Sequence, residues 1–164
     1  MPNRGFISNL SNDFRLLIGL FLIVLSIGYF TGISFVQITS KVTPEGIVEN
    51  YNGNESNEDS DEMKFKKSDY EILNILHTHF LSLSVIFLIL GILVYGCTAC
   101  TNSIQKFLML EPLVSVLVTF SGIYFIWLGY EFMTYIVMIS GALMTASYIG
   151  SIILISYNLF LHRS

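Results

Sequence analysis

Four apolar runs decide what this chain folds into. They fall near 14–38, 70–95, 108–129 and 132–160. Each exceeds the ~20 residues an α-helix needs to cross a bilayer. Only 12% of the 164 residues are charged, against about 25% in a typical soluble domain. Most of that charge lies between Lys41 and Glu71 or at the two ends. Four spans and one polar loop over 39–69 use the whole length. The expectation is one membrane domain over 1–164: an all-α, integral membrane four-helix bundle, up-down-up-down, with a single acidic extramembrane loop. Short connections at 96–107 and 130–133 favour antiparallel neighbours.

The first run reads as an anchor. Its apolar stretch, Leu16 to Val36, outruns the ~7–15 residues of a signal-peptide core. The residues that follow, Gln37-Ile-Thr-Ser-Lys-Val-Thr-Pro44, do not resemble a small-residue cleavage site. The net charge of −4 comes from the loop, where nine acidic residues from Glu45 to Glu71 face four lysines. No basic patch for nucleic acid is present. Lysine and arginine near the span ends set orientation. Arg4 and Arg15 flank the first span, which favours cytoplasmic N- and C-termini. Lys64, Lys66 and Lys67 beside the second span pull the other way.

Small residues four apart let helix backbones approach closely. Gly28-x-x-x-Gly32 in span one shows this spacing, as do Ala142, Ala146 and Gly150 in span four, with Ser147 and Ser151 beside them. Span three adds Ser115, Thr119 and Gly122. Packing within one bundle is the expectation, with a homodimer contact as the alternative. Tyr124, Trp127, Tyr130, Phe132 and Tyr135, with Tyr29, Phe30 and Phe35, read as an interfacial aromatic belt on one membrane face.

Chemistry is sparse, and it centres on two histidines in span two. Ser68-Asp-Tyr-Glu71 is a capping box that starts a helix near Ser68. At 1.5 Å per residue, His77 lies roughly 13 Å and His79 roughly 16 Å into that helix. An ionisable group at membrane depth is costly and marks a partner or a task. Residues two apart point about 200° from each other, so the two rings act separately. His77 shares a stripe with Tyr70, Asn74, Ser84 and Gly91, the most polar on the helix, and is expected to face the bundle interior. His79 lies among Ile72, Ile75, Leu76, Ser82, Leu83 and Ile86 and needs a partner from another helix or subunit.

Three functional readings follow. The first is axial ligation of haem b. The second is copper held by histidine and methionine. The third is a proton relay or pH sensor with Glu131 or the acidic loop. His77 is the leading ligand candidate and His79 the second. Met133 and Met138 are further candidates, and His162 lies at the opposite membrane face. The plain alternative is a neutral histidine bonded to Asn74, Ser82 or a helix carbonyl.

Lesser signals have structural explanations. Cys97-Thr-Ala-Cys100 is a lone CxxC without the second pair that a zinc site needs, so free thiols are expected. Glu111-Pro112 reads as the opening of span three, with proline in the first turn and the carboxylate near the helix N-terminus. An ion-pathway role for Glu111 is the minority reading. Asn54-Glu-Ser56 matches a glycosylation sequon. The stretch from Asn50 to Glu62 lacks the ligand spacing of a calcium loop and reads as flexible and solvated.

Three segments carry a resemblance: Pro44-Glu-Gly-Ile-Val-Glu-Asn-Tyr-Asn-Gly-Asn-Glu55, Met63-Lys-Phe-Lys-Lys-Ser68 and His77-Thr-His79. In that order they resemble a family of small bacterial four-span inner-membrane proteins. The resemblance implies the four-span architecture, a bacterial inner membrane, and an organised element over Gly46 to Glu55 on the outer side. It implies nothing about haem or metal. No catalytic constellation is visible, and the chain is not read as an enzyme. The working expectation is a small haem- or metal-binding component of a membrane redox system. The competing one is a non-catalytic accessory or assembly subunit that binds membrane protein partners or a second copy of itself. A transporter ranks third, because four spans need oligomerisation to build a path.

Overall fold

The computed structural model describes residues 5–55 and 63–161. The chain positions Arg4, Ser56, His162 and Arg163 therefore lie outside the described residues, as does most of the acidic stretch before Met63. Five α-helices follow a short 3-10 turn at Phe6–Asn9: α1 (Asn12–Ser40), α2 (Pro44–Asn52), α3 (Asp69–Tyr95), α4 (Asn102–Trp127) and α5 (Met133–Phe160). Among the described residues there are no strands. Helices α1, α3, α4 and α5 are each long and apolar enough to span a membrane. The protein is an all-α membrane helical bundle.

The helices begin where local chemistry starts them. The Ser68 hydroxyl accepts from the Glu71 backbone while the Glu71 carboxylate accepts from the Ser68 N–H, so the capping box is formed in both directions. The Thr43 hydroxyl accepts from Gly46 N at 3.0 Å, and Pro44 occupies the first helical position of α2. Helix α1 stops at Lys41, which is left-handed with φ 52°. The Lys64 ammonium then donates to the Thr39 carbonyl at 2.8 Å, a cation at a helix C-terminus.

Helix α4 starts six residues earlier than expected. The Thr101 hydroxyl accepts from Ile104 N and caps it. Glu111-Pro112 therefore lies well inside the helix, and Pro112 is a buried interior proline. The capping role expected for Glu111 is corrected: nine helical residues precede it, too far from the N-terminus for the dipole to act.

Helix α4 is central, packed between α3 and α5. The α3–α4 contact buries Phe87, Leu90, Val94, Val116 and Phe120, and Phe80 meets Phe120 edge-on at 6.0 Å. The α4–α5 contact is closer. A Cβ at Gly122 would sit 2.5 Å from the Val137 side chain, and one at Gly150 would sit 3.1 Å from Leu108. Lipid tails are as apolar as leucine, so such contacts hold through dispersion and small-residue approach instead of a hydrophobic drive.

Helix α1 stands apart. Of its 29 residues only Leu22 and Ser40 are buried. It leans on α5, where the Tyr29 and Tyr148 rings stack at 3.9 Å. The Tyr29 hydroxyl bonds Thr145 at 3.2 Å, and that of Tyr148 donates to Ser26 at 3.1 Å. Tyr29 lies near the middle of α1, which runs eleven residues beyond it. The in-bundle packing expected for Gly28 and Gly32 is also overturned. A Cβ at either meets nothing within 4 Å. A groove of about 660 Å³ opens between α1 and α5, lined in part by Gly19, Ser26, Phe30, Ser34 and Ile152.

Candidate functional site

The α3 face carrying His77 points outward. Tyr70, Asn74, His77 and Ser84 are exposed, and the buried side of α3 runs through Ile72, Phe87, Leu90, Gly91 and Val94. The inward orientation expected for the polar stripe is corrected at Tyr70, Asn74, His77 and Ser84, and holds at Gly91, which is buried. Bulky side chains on α3 match the aromatic face of α4, and this dispersion contact decides the rotation of the helix. Among the described residues, the His77 ring has no hydrogen-bond or ring partner.

His79 is exposed yet fixed on two sides. Its Nδ1 bonds the Ile75 carbonyl at 2.7 Å, and its ring stacks on Phe120 of α4 at 4.7 Å. A carbonyl only accepts, so Nδ1 donates the proton of that bond. This is the helix-carbonyl bond weighed from sequence. Met133 and Met138, at the start of α5, are half-buried against the core. No described contact joins either methionine to either histidine. Among the described residues, no group of three or more His, Cys, Asp or Glu side chains is placed to hold a metal ion.

The segment between α1 and α3 is built, not slack. Asn54 N donates to the Lys64 carbonyl at 2.9 Å, Lys64 N donates to Asn54 Oδ1 at 2.7 Å, and Lys67 N donates to the Tyr51 carbonyl at 3.0 Å. The returning chain thus runs along α2. Asn52 Nδ2 donates to the Ile126 carbonyl at 2.7 Å, and Trp127 Nε1 donates to the Lys67 carbonyl at 2.8 Å. The Lys66 ammonium lies 5.1 Å from the Trp127 ring centre. These bonds lay a cap over the end of α4. Asn54 of the sequon is 7% exposed, with its side-chain oxygen engaged in the cap.

At the other end, Gln105 is buried and its amide donates to the Val94, Tyr95 and Cys97 carbonyls, closing the C-terminus of α3. The Asn158 side chain accepts from the backbone of Thr98 and Ala99. Between them Cys97 and Cys100 are both free. Burial pushes the Cys97 thiol up to about 12, with Cys100 adding to it. Burial raises Cys100 as well. The thiolate is the nucleophile and the metal ligand. We therefore expect neither cysteine to react with maleimide at pH 7.5 at the rate of a free thiol, with Cys97 the slower. Timed alkylation followed by mass spectrometry checks this, and rapid modification of Cys97 would contradict the buried thiol.

A polar seam lies between α4 and α5. The Ser115 hydroxyl donates to Glu111 Oε1. Thr119 and Ser140 share a hydroxyl bond, and Ser140 Oγ also donates to the Ser115 carbonyl at 3.1 Å. Glu111 Oε2, Ser147 Oγ and Ser151 Oγ are buried without a hydrogen-bond partner among the described residues. Sequence reasoning saw these as small packing residues. Glu111 read as a helix-start residue, with an ion pathway as the minority reading, because the start of α4 was set too late; the Thr101 cap is the signal that places it inside the helix.

No curated protein and no solved structure matches this chain. Residues 41–164 match a described family, a transmembrane helical domain. The matched segment begins one residue after α1 ends and covers α2 to α5, well over half of the chain. With four apolar spans and a helical bundle already in place, the chain belongs to the Aq_1264_TM family of transmembrane helical domains.

Proposed function

We propose that this small transmembrane protein is a non-catalytic accessory subunit that holds a transmembrane helix of a partner protein against α1. One observation carries the reading. Gly28 and Gly32 form a close-approach motif on the exposed side of α1, and among the described residues nothing lies within 4 Å of a Cβ built at either. Such spacing serves helix association in lipid. The outward stripe of Asn74, His77 and Ser84 on α3 supports it, because polar groups at membrane depth call for protein neighbours. A second copy of the chain is the alternative occupant of the α1 face. We place the protein in a bacterial inner membrane with both termini cytoplasmic, on the strength of Arg4 and Arg15 at the N-terminal end of the first apolar run in the sequence. Gentle solubilisation and affinity isolation test the proposal. The expected result is recovery with a larger membrane protein in fixed ratio. Recovery of monomer alone, across several mild detergents, would contradict it.

A second reading rests on His79. A metal-ligating histidine usually donates its other ring N–H to a carbonyl, which fixes the ring, and Nδ1 of His79 is bonded in that way. On this reading Nε2 ligates haem b or copper, and His77, Met133 and Met138 are the chain's other candidate donors. Metal analysis and a reduced-minus-oxidised visible spectrum of the isolated protein test it. A band that disappears in His79→Ala supports it, and colourless, metal-free protein from a metal-replete culture removes it.

A further inference from the structure

The α4–α5 seam holds an unbalanced set of oxygens at membrane depth. Glu111 is the one acidic residue of α4, α5 has no charged residue, and Lys106 of α4 is exposed. Glu111 sits about 5 Å along the axis from the midpoint of α4. The register places it beside α5 near Ser147. Gly122 meets Val137, Thr119 meets Ser140, and Leu108 meets Gly150. Advancing along α4 and α5 in opposite directions from these contacts brings Glu111 level with Ser147 and Tyr148. Ser151 follows one turn further.

Both serines depart from this protein's own habit. Thr31, Ser34, Thr39, Ser40, Ser82 and Thr145 all return their proton to the carbonyl one turn back. Ser147 is 2% and Ser151 1% exposed, and among the described residues neither makes that bond or any other. Glu111 Oε2 is equally bare, while Ser115 holds Oε1. Pro112 adds to the imbalance, because it has no N–H to donate to the Leu108 carbonyl one turn back. The great majority of buried polar atoms in folded proteins have partners, and a bound water or ion is one way to supply them.

The donor set says which. It is all oxygen, with no sulfur or imidazole for a soft metal, and oxygen donors suit hard cations. It has a single carboxyl group. A divalent ion would leave net charge in hydrocarbon, whereas a monovalent one balances it. The nearby titratable groups are occupied elsewhere: Tyr29 bonds Thr145, and Tyr148 bonds Ser26. Helix α3 approaches this level through Gly91, which is close to Met109 and is not ionisable.

We propose that Glu111, Ser147 and Ser151, with Ser115 positioning the carboxylate, bind a monovalent cation of sodium size between α4 and α5. The site is separate from the α1 docking face and stands whether or not that face is occupied. Equilibrium dialysis of the full-length protein in detergent against radioactive sodium tests it, alongside melting curves in sodium and in choline at equal ionic strength. The expected result is one retained sodium ion and a higher Tm in sodium. Glu111→Gln, which keeps the volume and the Ser115 bond, should lose both. Ser147→Ala with Ser151→Ala should weaken binding about tenfold or more. No sodium retained by the wild type would overturn the proposal. So would an infrared band of a protonated carboxyl in the wild type that saturating sodium leaves unchanged and Glu111→Gln removes. That band would show a proton in place of the ion.

Discussion

Isoleucine at both Gly28 and Gly32 should leave the protein folded and strip it of its partner. A Cβ at either glycine meets nothing among the described residues within 4 Å, so the monomer has no reason to lose stability. Its Tm should stay within a degree or two. A partner helix seated on those glycines would meet two branched side chains. Overpacking costs about 1–3 kcal/mol per site, and 1.4 kcal/mol is a factor of ten. Co-isolation of the partner should fall on the order of 100-fold. Gly122→Ile is the contrasting variant. Its Cβ would sit 2.5 Å from Val137 inside the α4–α5 contact, so it should lower Tm directly. Unchanged partner recovery in the Gly28/Gly32 variant would move the docking face elsewhere.

Gly46→Ala should undo the cap over α4. The new Cβ would collide with the backbone carbonyl of Ser40, which a rotamer change cannot move aside. The turn between α1 and α2 must open, at a cost of about 2 kcal/mol or more. The cap is wired to the one tryptophan of the chain. Trp127 donates to the Lys67 carbonyl and lies beside the Lys66 ammonium. Its emission should shift to longer wavelength as water reaches the ring, and protease sites from Lys64 to Lys67 should open. Gly53→Ala should act in the same direction, because φ there is +82° and a Cβ would lie 2.8 Å from Lys66 N. Unchanged Trp127 emission in both variants would mean that the cap does not depend on these turns.

Much of this fold was legible in the residues. Span length and hydropathy depend on composition along a single helix, and the four runs emerged within a few residues of α1, α3, α4 and α5. The Ser68–Glu71 box was readable because capping is local. The segment from Gly46 to Glu55 was expected to be organised from its resemblance alone, and α2 with its returning strand of backbone bonds is that element. What failed depended on other helices. The rotation of α3 is set by Phe120 and its neighbours on α4, so the polar stripe with His77 was assigned the wrong side. The emptiness before Gly28 and Gly32 reflects how little of α1 touches α5. The bare oxygens of Glu111, Ser147 and Ser151 follow from the α4–α5 register, which no single span encodes.

The most direct measurement places a photo-activated cross-linking residue at Gly28 in the full-length protein and irradiates intact membranes. A residue facing a partner helix should give one discrete higher-mass adduct, identifiable by mass spectrometry, and the same probe at the lipid-exposed Ile153 should not. Adducts to lipid alone from position 28 would contradict the account.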